Sequence, residues 1–120
     1  MIDSQYFDEV MKTIGKEYEV IIDRPLGSTH PEYRDMIYPI NYGYIKELKA
    51  PDGEYQDVYL LGINKSVLSF KGIVIAVVKR FNDIECKLVI CPKGLDYTDE
   101  EIEENIQFQE KYFKHKILRN

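Results

Sequence analysis

The sequence predicts an α+β domain: a small, curved antiparallel β-barrel core with an N-terminal helix and a C-terminal helix packed on it. Helical periodicity occurs only near the two ends, five or six short strand-like runs lie between them, and turn residues punctuate those runs. A chain of 120 residues holds one small core, so residues 1–120 are read as a single domain.

Each element follows from local pattern. Phe7, Val10, Met11 and Ile14 recur at helical spacing between Ser4, a candidate N-cap, and Gly15, a candidate stop, which predicts a helix over 4–14. YEVIID (18–23) is strand-like, and PLGSTHPEYR after it is turn-rich. GYIKEL and DVYLLG predict two short strands around a turn at Pro51, Asp52 and Gly53. GIVIAVVKRF (72–81) and IECKLVICP (84–92) predict a hairpin with a short link at Asn82 and Asp83. Thr98 and Glu101 form a capping box that opens a last helix carrying Ile102, Ile106, Phe108 and Phe113.

Composition narrows the function. Asp and Glu number 21 against 16 Lys and Arg, for a net charge of -5, so nucleic acid is not expected as a partner. No apolar run approaches membrane-spanning length, the first residues lack the basic start of a signal peptide, and a cytoplasmic protein is expected. Cys86 and Cys91 lie five positions apart in one strand-like run and should face opposite ways, as reduced structural thiols. His30 and His115 lack a second ligand at metal-site spacing and read as solvated.

Two stretches point to chemistry. In YPINYGYI (38–45), Pro39 and Gly43 argue against a plain ladder and for a bent strand entry, with at least one tyrosine hydroxyl directed into a cavity. In PDGEYQDV, Asp52, Glu54 and Asp57 crowd a turn and a strand start, an arrangement most easily tolerated when water or a hard divalent cation intervenes. Asp83 sits at a hairpin tip, and Glu85 shares a strand face with Lys87.

In this order, YPINYGYI, then Asp52-Gly53-Glu54-Tyr55-Gln56-Asp57-Val58, then Glu85-Cys86-Lys87-Leu88-Val89 ending at Pro92, the sequence resembles the soluble family I inorganic pyrophosphatases. Their signatures are YP-x-NYG(F/Y)I, DGDPxDV and a D-x-K strand followed by proline. The resemblance covers about residues 18 to 92 and extends loosely to Tyr112. It implies an OB-like barrel, a homo-oligomer, a small-molecule diphosphate substrate and Mg2+, with Mn2+ as a substitute. It further implies that Asp52, Asp57, Asp83 and Glu85 hold metal, and that Glu54 takes the proton of the attacking water. Asp57 and Tyr42 complete the catalytic set, while Lys87, Tyr112, Arg24 and Lys114 contact phosphate. Departures accompany the match: Glu replaces Asp at 54 and 85, Tyr55 replaces proline, and the early basic hairpin is largely deleted between Pro25 and Tyr38, leaving Arg24, Arg34 and Lys16 as replacements. The expected function is metal-dependent hydrolysis of inorganic pyrophosphate to two phosphates. The alternatives are hydrolysis of another diphosphate such as a nucleotide, or a silent binding domain of the same fold.

Overall fold

The structure is a computed structural model that describes residues 2 to 120. The elements run α1 (Ser4–Lys12), β1 (Glu17–Arg24), β2 (Asn41–Lys49), β3 (Tyr55–Leu60), β4 (Ser69–Arg80), β5 (Cys86–Cys91), α2 (Asp99–Glu110) and β6 (His115–Leu118). The strands order as β1-β2-β3-β5-β4, pairing of β1 with β4 closes them into a barrel, and β6 adds to the free side of β4. The α+β barrel with terminal helices is as expected. One pairing corrects the antiparallel reading: β3 and β5 run parallel, with Val58 opposite Leu88 and Leu60 opposite Ile90. The connection between them contains the whole of β4, which lets the chain reverse twice before it returns.

Residue alternation splits the core into two layers. Val20, Ile22, Ile45, Leu60, Leu88 and Ile90 fill the barrel interior, and Tyr6 and Val10 of α1 join them. On the outer face Tyr38, Tyr42, Tyr59 and Val89 pack under Ile102 and Ile106 of α2. Cys86 belongs to the inner layer and Cys91 to the outer one, both as free thiols.

Helix α1 starts at Ser4 and ends at Lys12, two residues short of the expected end, and its N-cap is Asp3, whose side chain accepts the Tyr6 amide, and not Ser4. Tyr6, absent from the expected apolar face, is its main anchor. Its hydroxyl donates to Gln56 Oε1 at 2.5 Å and accepts from the Cys86 amide at 3.0 Å, and Gln56 Nε2 donates to the Cys86 carbonyl at 2.6 Å. The capping box of α2 is present as read, but the helix stops at Glu110, and Phe113 lies beyond it. Strand β6 was not legible: His115–Leu118 is short and charged, and only its pairing with Val77–Arg80 makes it a strand. His115 is half-buried and bonds Glu103 at 2.9 Å.

Gly43 shows why YPINYGYI carries a glycine. Strand β1 crosses so close that a Cβ at position 43 would lie 1.9 Å from the Ile21 carbonyl oxygen and 2.9 Å from the Ile22 Cα. Both obstacles are backbone, so no rotamer change relieves the clash. Gly43→Ala is expected to destabilise the fold by on the order of 3 kcal/mol or to prevent folding. Urea unfolding monitored by far-UV circular dichroism checks this, and a midpoint equal to wild type contradicts the close approach.

Candidate functional site

Two clefts meet on the face beside α2. The smaller, about 360 Å³, is bounded by Asp23, Asp52, Glu54, Asp57 and Glu85 together with the rings of Tyr44 and Tyr55. The larger, about 980 Å³, runs from Lys87, Tyr42 and Arg24 to Tyr112 after α2 and to the loop between β1 and β2. Asp23 and Asp57 line both.

Backbone geometry delivers the carboxylates. Asp57 lies near the start of β3 and Glu85 just before β5, and the parallel pairing of these strands brings them to one edge. The Asp52 side chain accepts the Glu54 amide at 2.9 Å, which shapes the turn that presents both acids. Asp23 was not singled out from the sequence. On β1, Ile22 faces Gly43 and Arg24 faces Tyr42, so Asp23 is the extra residue of a β-bulge, and the bulge re-aims its carboxylate. An acidic residue closing an otherwise apolar strand was the available signal.

Crowding is visible in the proton affinities. Burial pushes Glu85 from its ordinary 4.5 up to about 7, opposed by Lys87 and reinforced by the neighbouring Asp52 and Asp57. Burial likewise raises Asp23, against the pull of Arg24 and with a push from Asp57. These oxygens are the donor chemistry a hard divalent cation uses, and a cation would relieve the repulsion. Among the described residues no three acidic, His or Cys side chains already stand in the geometry of a metal site. Asp57 instead accepts from Lys87 at 2.7 Å, and Asp52 accepts from the Glu54 amide.

Lys87 is the buried cation of the site. Burial opposes its charge, but Tyr42 and Asp57 outweigh it and hold the ammonium above its ordinary value. Tyr42 lies beside it with the ammonium 5.8 Å from its ring centre, and burial pushes the phenol up to about 12 despite Lys87. Of the other tyrosines in the stretch, Tyr38 is fully buried and its hydroxyl accepts from Arg24 at 2.8 Å. Tyr44 stacks on Tyr55 at 5.4 Å and lines the carboxylate pocket, a larger part than packing alone.

The remaining sequence candidates separate. Tyr112 and Arg34 line the large cleft. Asp83 lines neither cleft: it accepts the Glu85 amide at 3.1 Å and lies 3.5 Å from Arg80. Lys114 sits over the Phe81 ring at 5.4 Å, and the Lys16 carbonyl serves the β1–β4 region by accepting the Val74 amide. Sequence reading missed Arg80 and Glu110. Glu110, wholly buried, accepts from Arg80 Nη2 at 2.6 Å and from the Tyr59 hydroxyl at 2.6 Å, and so ties the end of α2 to the barrel wall at the large cleft, which Arg80 lines.

Comparison with solved structures places this architecture. The inorganic pyrophosphatase from Ehrlichia chaffeensis matches with a TM-score of 0.67 at 20% identity, covering 88% of this chain and 87% of that one. The enzyme from Coxiella burnetii matches at 0.61 with 18% identity, over 88% and 86% of the two chains. That from Neisseria gonorrhoeae gives 0.60 with 21% identity, over 82% and 74%. No family model and no curated protein matches the sequence. The chain therefore has the inorganic pyrophosphatase fold, at identities where the likeness concerns fold alone.

The electrostatics yield a pH test. Between 4.5 and about 7 the folded chain keeps on Glu85 a proton that the unfolded chain releases. The stability this contributes is fully present below 4.5 and lost as pH rises through about 7. In cation-free buffer, unfolding midpoints should fall over that window, and Glu85→Gln should flatten the slope. Millimolar magnesium should raise the wild-type melting temperature at about pH 8, because the ion binds the native state alone. No thermal shift with magnesium or manganese contradicts a shared cation site.

Proposed function

We propose that this chain is a phosphoanhydride hydrolase that cleaves inorganic pyrophosphate to two phosphates. The observation that supports it best is the Lys87–Asp57 pair at 2.7 Å, standing where a carboxylate pocket opens into a cationic cleft. Phosphoryl transfer asks a protein mainly for positioning and for neutralisation of oxygen charge, and an ammonium beside clustered carboxylates is suited to both.

The roles follow from position. Lys87 is buried, charged and anchored, so it presents a fixed ammonium to a phosphate oxygen. Arg24 is oriented by the Tyr38 hydroxyl and faces the same cleft. Tyr42 stays a neutral phenol at neutral pH and can donate to a phosphate oxygen. Glu54, exposed on the pocket rim, would accept the proton of an attacking water. Asp52, Asp57 and Glu85 would hold Mg2+ or Mn2+, with Asp23 in the place that Asp83 does not reach. When bound, the cation would supply charge neutralisation and a more acidic water. Cys86 and Cys91, buried and free of any disulfide, suit a reducing cytoplasm.

Phosphate release measured with magnesium tests the reading. Glu54→Gln should lower turnover by about 100-fold while leaving the unfolding midpoint unchanged, since the side chain is exposed. Tyr42→Phe removes one hydroxyl and should lower kcat/KM by about tenfold, whereas Tyr44→Phe should stay near wild type. A wild-type protein that releases no phosphate from any diphosphate would overturn hydrolysis in favour of a silent binding domain. Full activity in Glu54→Gln would assign the base elsewhere.

A further inference from the structure

The large cleft exceeds what a bare diphosphate ion fills. Its volume of about 980 Å³ reaches the upper end of the range, about 300–1,000 Å³, that accommodates organic ligands of drug size. Its chemistry is divided. At the junction with the carboxylate pocket stand Lys87 and Asp57, the end suited to phosphate. The opposite chemistry comes from Tyr33, in the loop between β1 and β2, and Tyr112, just past α2, which line the same cleft while remaining 63% and 66% exposed. Single exposed apolar residues are ordinary. Two exposed phenols from separate segments line one cleft with the buried Lys87, and so offer ring faces to a ligand held there.

An inorganic diphosphate makes no use of ring faces. A nucleobase does, because every base offers a flat π-surface to aromatic side chains. The loop that carries Tyr33 is held for this use: His30 Nδ1 accepts the amides of Glu32 and Tyr33 at 3.1 and 3.2 Å, and Tyr38 closes the loop base through its backbone bonds to Gly27 and Ser28. Apart from Met36, Ile37 and the rings of Phe108 and Phe113, the lining is polar, charged or phenolic, which serves a long alkyl chain poorly.

We propose that the same site also takes a nucleoside diphosphate, with its phosphates at Lys87 and Asp57 and its base against Tyr33 and Tyr112. This rests on the hydrolytic reading above and extends its substrate class. In the reaction, water oxygen bonds to the terminal phosphorus, and the bond from that phosphorus to the bridging oxygen breaks, its electron pair staying on the bridging oxygen. The products are orthophosphate and the nucleoside monophosphate, and the proton of the water passes to Glu54 and on to solvent.

Binding separates this inference from the hydrolytic reading. Titration calorimetry with magnesium would compare the methylene-bridged analogue of adenosine diphosphate, methylenediphosphonate and a prenyl diphosphate. The adenosine analogue should bind at least about tenfold tighter than methylenediphosphonate. Tyr33→Ala should abolish that advantage, Tyr33→Phe should keep it, and neither should alter methylenediphosphonate affinity or pyrophosphate hydrolysis. Equal affinities, tightest binding of the prenyl compound, or equal losses for both diphosphonates in Tyr33→Ala would overturn the inference. Phosphate release from pyrophosphate without base preference overturns this inference alone. Base preference without phosphate release from any substrate sustains nucleotide binding and overturns hydrolysis.

Discussion

Closure of the barrel by β4 is the constraint on which the site depends. The first part of this strand pairs with β1, from Ser69 opposite Ile21 to Ile73 opposite Glu17, and the rest pairs with β5 on one side and β6 on the other. One strand can serve both neighbours only if it bends. A register shift between Val74 and Ala76 supplies the bend, and at Gly72 the Cys91 carbonyl oxygen would lie 2.6 Å from any Cβ. Because β4 occupies the positions between β5 and β1, β5 is left to pair with β3 in parallel. That pairing sets Asp57 beside Lys87, and with it the place where the two clefts meet.

Charge burial on the outer face is the second theme. Lys87, Arg80 and Glu110 are all buried, each with a partner, and an unpaired charge at that depth would be strongly destabilising. Arg80 is held by Glu110 and by the Phe113 ring, 3.7 Å from its guanidinium carbon, so it acts as a brace. Lys87 lines the same cleft as Arg80 but has only one carboxylate and a phenol for company. The difference in partners separates a structural cation from one available to a ligand.

The carboxylate pocket inverts this pattern. Asp23, Asp52, Glu54, Asp57 and Glu85 meet with little positive charge among them, and Glu85 responds by holding its proton to about 7. A fold selected for stability alone has no reason to gather acids at a bulge, a turn and a strand start. Gathering them stores repulsion that a cation or a phosphate-bound cation can release.

Much of this was legible residue by residue. The capping box at Thr98, the helical spacing of Val10, the turn at Asp52 and Gly53 and the common face of Glu85 and Lys87 each rest on neighbours a few positions away, where backbone geometry alone dictates who meets whom. What lay beyond reach depends on chain closure over long separations. The parallel β3–β5 pair, the short charged strand β6, the bulge that turns Asp23 inward, the anchoring of Arg80 by Glu110 and the breadth of the cleft are decided by which distant segments pack together. Local pattern fixes which face a side chain takes within its own element. Only the closed barrel, by choosing each strand's neighbours, decides what that face meets.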